Sequence, residues 1–360
     1  MPNVQSTSHD TPPVIEGEHE RLLEATLDHF SGRRLGAMNA FAFNEPDPGI
    51  IDDPVRGGEH WTNMIMRNLL YYLIIKEAEV IKDKSQEIGE YLPAGLMSAD
   101  LGPGERQAQL SKTLPHQQSL RNNKAFAGVD VNSVFAKSTA ELIEEKTGVS
   151  SQAIVGDFLS EQLNIFPNDR AVFSLFGGLL CNFGREPSRS AKDVLTETFN
   201  NLSLNMKPGD YLVITQDTNQ IEESLLNTYD DPDMGLYILS ILHKIKRDLP
   251  TENFDPYAFE FVPRWDKDEQ LLSLNIKLKD DYPVQNFTIN DEPFSVRHKQ
   301  EIPLVNSYKF TAEFFIEAAE AAGYKSEKLF RCDDNPIVEH VFQYKPDVHA
   351  ANVGRSLKVA

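Results

Sequence analysis

Three short clusters carry the residues best suited to chemistry: Asp100-Leu101-Gly102-Pro103-Gly104, Gly128-Val129-Asp130-Val131 and Val155-Gly156-Asp157-Phe158. Each closes an apolar run that reads as a β-strand. Gly102 and Gly104 let the backbone approach a ligand with no side chain intervening. Asp130, at the end of the next strand, is placed to hydrogen-bond the two ribose hydroxyls of a nucleoside cofactor. At the third strand end, Asp157 can pair with an adenine amine while Phe158 covers the ring. Taken singly, Asp130 and Asp157 also fit helix N-caps. Ligand-type residues on three consecutive strand ends argue for a site. A dinucleotide is disfavoured, because Gln107 stands where the third glycine of Gly-x-Gly-x-x-Gly should be and a pyrophosphate needs that close helix N-terminus. S-adenosylmethionine has no pyrophosphate, and its sulfonium suits an acidic, aromatic-lined pocket.

Such strand ends must be held side by side. Strand candidates at 96–101, 125–131, 153–158, 171–176 and 211–216 alternate with helical patterns, clearest over 133–146,. Near-continuous apolar strands in that alternation imply a parallel sheet covered on both faces. After Asp217 the texture changes. Residues 221–248 read as two helices broken at Asp230-Asp231-Pro232-Asp233, followed by antiparallel-strand candidates at 259–262, 271–278 and 284–289,. A helix at 310–322 and strands at 329–332 and 337–344 then supply what a seven-stranded methyltransferase sheet requires. The expected fold class is α/β, a Rossmann-like class I methyltransferase sheet with a second α+β substrate domain. The domain expectation is a disordered tail at 1–20, a substrate domain from 21–70 plus 225–305, a cofactor-binding core from 71–224 plus 306–346, and a flexible tail at 347–360.

Composition narrows the function classes. A formal charge of −20 over 360 residues argues against nucleic acid, whose affinity rests on phosphate neutralisation, and against anionic membranes. It suits a cationic or small zwitterionic ligand. The longest apolar stretch, around residues 69–75, is far short of the roughly 20 residues that span a bilayer. The polar N-terminus has no signal-peptide pattern, so the expected location is cytoplasmic. Cys181 and Cys332 are too few for a disulfide framework, and the nine histidines show no ligand spacing, so no metal is expected. Oligomeric state stays open.

Taken in order, the Asp-Leu-Gly-Pro-Gly turn, Val-Asp-Val, Val-Gly-Asp-Phe, a glycine–asparagine strand end at 177–182 and Tyr229-Asp230-Asp231 resemble the histidine-specific N-methyltransferase family over residues 70–344. That family includes the ergothioneine-pathway enzyme and fungal relatives that methylate a tryptophan derivative. The resemblance implies cofactor contacts at Gly102, Gly104, Asp130, Asp157 and Phe158, with Pro103 between the two glycines. It implies substrate contacts at Gly177, at Asn182 on the amino-acid group, and at Tyr229 on the carboxylate. Tyr71-Tyr72 and Glu77 resemble the family's tyrosine pair and acid before the core, although such a tyrosine pair is more often core packing than ligand contact.

Two departures bear on the substrate. The family's acidic residue before Ser307 and Lys309-Phe310, which with that serine recognises the imidazole ring, is Val305 here. A site that loses such a partner discriminates against the ligand that needs it. Glu301 replaces the acid only if a bulge shifts the register. Ala108 also stands where the family often has a lysine near the cofactor. The expected function is therefore S-adenosylmethionine-dependent N-methylation of an amino acid or related small amine, with Val305 and Ser307 meeting its side chain. The alternatives are L-histidine N-alpha-methylation proper, an O-acceptor, and a cofactor-binding relative that transfers nothing.

Overall fold

The computed structural model describes residues 18–44, 46–47, 49–68 and 71–346. The expected tails lie outside these residues, except that 18–20 open the first helix. Helices α1 (Glu18–Phe30), α2 (Gly57–Arg67) and α3 (Tyr72–Tyr91) precede the first strand, β1 (Met97–Leu101). Next come α4 (Arg106–Ala108), a π-helical turn at Gln109–Thr113, α5 (Leu114–Ser119), β2 (Phe126–Asp130), α6 (Ser133–Thr147), β3 (Ser151–Val155) and β4 (Ala171–Leu175). A 3-10 turn at Leu179–Cys181, α7 (Ala191–Ser203) and β5 (Tyr211–Asp217) complete this half. The second half holds α8 (Glu222–Tyr229), α9 (Pro232–Asp248), β6 (Thr251–Glu252), β7 (Phe259–Asp266), β8 (Leu271–Leu278), β9 (Gln285–Ile289), β10 (Glu292–Val296) and β11 (Ile302–Tyr308). Helix α10 (Ala312–Ala321) leads into β12 (Tyr324–Arg331) and β13 (Ile337–Tyr344).

Seven strands form one sheet in the order β12-β13-β5-β4-β1-β2-β3, with β13 antiparallel to both neighbours. This is the class I methyltransferase arrangement expected from the strand–helix alternation. Every residue of β2 and β4 is buried, as strands covered on both faces must be. Strand order reverses between β1 and β4, which opens the ligand crevice at their carboxyl ends. Local chemistry fixes the helix that follows β2: the Asn132 side chain accepts from Val134 N, and Gly148 at φ 71° closes the helix in the left-handed conformation,. Strand β3 ends at Val155, earlier than the expected 158. Gly156 N–H donates to Asp130 O at 3.2 Å as the last rung, and the Asp157 carboxylate then accepts from Leu159 N–H at 3.0 Å, turning the chain.

Apolar packing separates into clusters. Phe173, Leu195, Phe199, Leu212 and Phe315 fill one face of the large sheet, and Val80, Ile81, Ile88, Val172 and Val341 fill the other. A further cluster joins Leu22, Met38 and Met64 to Ile238, Ile241, Leu274, Ile276 and Val305. It covers two three-stranded sheets, β11-β8-β7 and β10-β9-β6. The β9–β10 hairpin turns on Asn290 and Asp291 at φ 49° and 66°, the two positive values a tight hairpin requires. Strand β11 was not among the expected strands. Its bulge, between Pro303 and Val305, leaves Val305 and Ser307 paired with Leu274 and Leu272.

Candidate active site

At the cofactor end, the turn after β1 takes left-handed geometry twice, at Gly102 (φ 69°) and Gly104 (φ 67°). Gly102 N–H donates to Val129 O at 2.8 Å, which ties the turn to the end of β2. Buried Asp130 accepts from Asn132 N–H at 2.8 Å and from the Gly104 backbone as well. Burial raises its pKa while these backbone donors pull it down,. A Cβ on Gly102 would stand 3.7 Å from the Phe158 ring, so Phe158 faces the glycine turn directly. Glycine turn, strand-end acid and aromatic cover converge on one crevice. That donor set fits an adenosyl group: Asp130 for the ribose hydroxyls, Phe158 for the ring, and bare backbone at Gly102 and Gly104. Asp157 lies beside Phe158 and uses one oxygen on its own turn.

Beneath the turn, Asp100 points into the protein. Burial raises its pKa to about 7, and Thr113 donates to it. The family's lysine position is Ala108, on α4, but Lys112 lies one helical turn further on. Its Nζ is 2.9 Å from Glu77 Oε2, with both side chains nearly buried. Glu77 also accepts from Gly177 N–H and from the Thr215 hydroxyl. The acid of α3 thereby anchors the glycine that follows β4, Gly177, at φ 94°.

The acceptor end is assembled from distant segments. Asn182 caps the short 3-10 turn after β4, and its amide oxygen is buried with no hydrogen-bond partner. An orphaned buried acceptor of this kind calls for a ligand donor or water. Tyr229, the last residue of α8, is 5 % exposed. Lys309 Nζ donates to its hydroxyl at 3.3 Å, and the Tyr71 and Ser307 hydroxyls also hydrogen-bond to it. Burial, and secondarily Asp217, hold the Tyr229 phenol well above its usual pKa. Lys309 is itself paired with Asp217 Oδ2 at 2.9 Å, and Tyr72 OH donates to the same oxygen at 2.7 Å. A small cavity of about 10 Å³ lies between Glu77 and Asp217, lined also by Leu73, Gly177, Gly178 and Thr215. Each of its carboxylates is matched by a buried ammonium, so the wall carries no net charge.

Tyr71 and Tyr72 thus differ. Tyr71 packs its ring against Tyr229, with centroids 5.7 Å apart, and hydrogen-bonds to its hydroxyl, whereas Tyr72 bonds to Asp217. Val305 is 3 % exposed and lies within the apolar cluster of the second half. With the two-residue period of a strand it shares a face with Ser307. Glu301 does not replace the missing acid. It is exposed and grips Arg264, with Oε2 2.8 Å from Nε, because the bulge displaces Leu304 rather than Glu301.

Sequence reasoning missed the roles of Asp217, Lys309 and Lys112. Asp217 carries the one available signal, an acid closing a strand in the same position as Asp130.

Comparison with known proteins identifies the family. A model of the family described as "Histidine-specific methyltransferase, SAM-dependent" matches residues 52–344. A histidine N-alpha-methyltransferase of Mycobacterium tuberculosis (strain CDC 1551 / Oshkosh) is 28% identical over 221 residues, 60% of this chain and 65% of that protein. Its namesake from Mycolicibacterium smegmatis (strain ATCC 700084 / mc(2)155) is 26% identical over 227 residues, 62% of this chain and 67% of the relative. The match therefore spans about two thirds of the length of these curated relatives. Among solved structures, a S-adenosylmethionine-dependent methyltransferase from Clostridium acetobutylicum ATCC 824 is 14% identical, covers 80% of this chain and 98% of its own, and has a TM-score of 0.41. The chain belongs to the histidine-specific, S-adenosylmethionine-dependent methyltransferase family.

Proposed function

We propose that this protein transfers a methyl group from S-adenosylmethionine to the amino nitrogen of an amino acid, or a close relative, whose side chain is apolar rather than an imidazole. The observation that carries the choice of side chain is Val305, which puts an apolar wall where an imidazole would need an acid, while Glu301 is engaged with Arg264. Family membership and the amino-acid substrate printed in the relatives' names support the acceptor class.

In this reading Gly102, Pro103, Gly104, Asp130, Asp157 and Phe158 hold the cofactor. Bound S-adenosylmethionine supplies a methyl group already activated by its sulfonium. The remaining task for the chain is positioning, which is worth up to roughly 7–11 kcal/mol for a well-aligned pair. Asn182 and Gly177 orient the amino-acid group, and Tyr229, fixed by Lys309, Ser307 and Tyr71, presents its hydroxyl to the carboxylate. An α-amino group has a pKa near about 8, and desolvation favours its neutral, nucleophilic form. The paired cavity wall supports this. Glu77 is matched by Lys112 and Asp217 by Lys309, so neither carboxylate is free to hold the acceptor as an ammonium ion.

The second half, with the N-terminal helices, forms the substrate domain in this reading. A cytoplasmic location accords with two free cysteines,. Among the described residues no helix is long and apolar enough to cross a membrane.

The test is a mass-spectrometric screen of the twenty amino acids and common biogenic amines with S-adenosylmethionine. A methylated apolar amino acid as dominant product is expected. Methylated histidine as the dominant product refutes the reading of Val305, and cofactor binding without any methylation points to a non-catalytic relative.

A further inference from the structure

A short stretch of the N-terminal segment, Arg34-Leu35-Gly36-Ala37, runs between the loop that carries Asn182 and the strand that carries Val305 and Ser307. Its backbone pairs on both sides. Towards the loop, Leu35 N–H donates to Arg185 O at 2.9 Å, and Arg185 N–H donates to Leu35 O at 2.7 Å. Towards the strand, Gly36 N–H donates to Pro303 O at 2.9 Å, and Asn306 N–H donates to Gly36 O at 3.0 Å. Ala37 and Val305 form an antiparallel bridge. The sheet β7-β8-β11 is in effect carried, through one extra rung, onto the acceptor loop of the large sheet.

Both sides of this rung are packed without slack. Gly36 has φ 71°, and a Cβ there would lie 2.2 Å from the Asn306 carboxamide carbon. A Cβ on Gly184, two residues after Asn182, would lie 2.6 Å from that of Ala37. Asn306 is 1 % exposed. Its Nδ2 donates to Leu35 O at 3.1 Å, and its Oδ1 is buried without a partner. Asn306 stands between the two residues expected to meet the acceptor side chain, yet its own side chain serves the inserted stretch.

We propose that residues 34–37 act as a spacer that determines which side-chain length the acceptor site takes, with Gly36 and Asn306 as its positioning residues. The inference rests on the amino-acid reading above. Two ladder steps of about 4.8 Å each separate the acceptor loop from β11. The inserted rung therefore fixes the gap between the end that grips the amino-acid group and the wall that receives the side chain. Side chains on the two edges cannot reset that gap while the backbone ladder stays intact.

The test uses the full chain, S-adenosylmethionine, and leucine, phenylalanine, tryptophan and histidine as probes. Gly36→Ala pushes the Asn306 carboxamide aside. It should raise the KM of the best wild-type acceptor at least tenfold and raise the tryptophan-over-leucine ratio of kcat/KM at least fivefold. Cofactor affinity by calorimetry should stay within twofold. Adding Asn306→Ala should return KM to within threefold of wild type, a rescue that general destabilisation does not give. Should Gly36→Ala fail to fold, Gly184→Ala, whose Cβ would meet that of Ala37 at 2.6 Å, carries the test through the same ratio. An unchanged ratio, or equal loss on every acceptor together with cofactor affinity, overturns the spacer. If the wild type methylates none of the probes, the amino-acid reading falls and the spacer with it. That outcome is distinct from an active wild type whose variants keep their selectivity.

Discussion

The ends of the crevice proposed to take the cofactor and the acceptor are built in opposite ways. Gly102, Gly104, Asp130 and Phe158 sit at or just after the ends of three strands consecutive in sequence and adjacent in the sheet. Each residue is placed by its own strand, and the ladder supplies the alignment. At the acceptor end, Asn182 follows β4, Tyr229 ends α8, Ser307 and Val305 lie on β11, and Tyr72 opens α3. No strand neighbours align these directly: Tyr229 and Tyr72 are held by side-chain bonds, through Lys309 on Asp217 and Tyr229 and Tyr72 on Asp217, and the Asn182 loop meets β11 only through the inserted residues 34–37. A site set by backbone register keeps its ligand while the chain diverges. A site set by side chains can change its ligand through a single replacement, which is the role proposed for Val305.

The sharpest test of this contrast is Asp130→Ala. It removes a buried carboxylate placed for two charge-assisted hydrogen bonds, so cofactor affinity should fall about 100-fold, measured by calorimetry. If cofactor affinity survives, the cofactor end is not where the comparison puts it.

Glu339 on β13 offers the next largest effect, on stability. Its carboxyl is buried without partners, and burial, with the charge of Glu77 added, raises its pKa to about 8. A carboxyl whose pKa is higher folded than unfolded supports the fold only in its protonated form. That stability is complete below the usual carboxylate range and is lost as pH rises to about 8. Glu339→Gln cannot ionise and should be more stable than wild type at pH 8 by about 2 kcal/mol, with the gap closing towards pH 4. Denaturant melts across that range decide it, and a gap independent of pH refutes the assignment.

Tyr229→Phe should raise the acceptor KM about tenfold while leaving cofactor affinity within twofold. Equal loss of both would erase the division between the two ends. The smallest effect expected is on selectivity. Val305→Glu should move the histidine-over-leucine ratio of kcat/KM upward by roughly fivefold, at some cost in stability, because the new carboxylate enters an apolar cluster. Product analysis of the mixed-acceptor reaction reads this directly.

The same division explains what could be read from the sequence. The seven-stranded sheet and the glycine turn were legible because apolar runs, turn glycines and strand-end acids are local signals. The end of β3 was misplaced by a few residues, since only the Gly156 rung and the Asp157 turn show where pairing stops. The Lys309–Asp217 pair was not legible, because its partners meet only after α8, α9 and six strands intervene. Lys112 was hidden by a shift of one helical turn from Ala108. The spacer at 34–37 left no signal beyond a glycine, whose need arises from Asn306 far along the chain.

Strand β13 has a consequence for how this protein reaches its native state. It fills the position between β5 and β12, and His340 meets Gln216 across 124 residues of chain, at 2.8 Å. During synthesis, β5 therefore emerges long before the strand that completes it, and the whole second half is made in the interval. Contacts of such long range slow folding, and an apolar strand edge waiting for its partner is a site for wrong pairing. Refolding yield should then depend more on conditions that keep β5 from associating with other chains than on the intrinsic stability of the finished sheet.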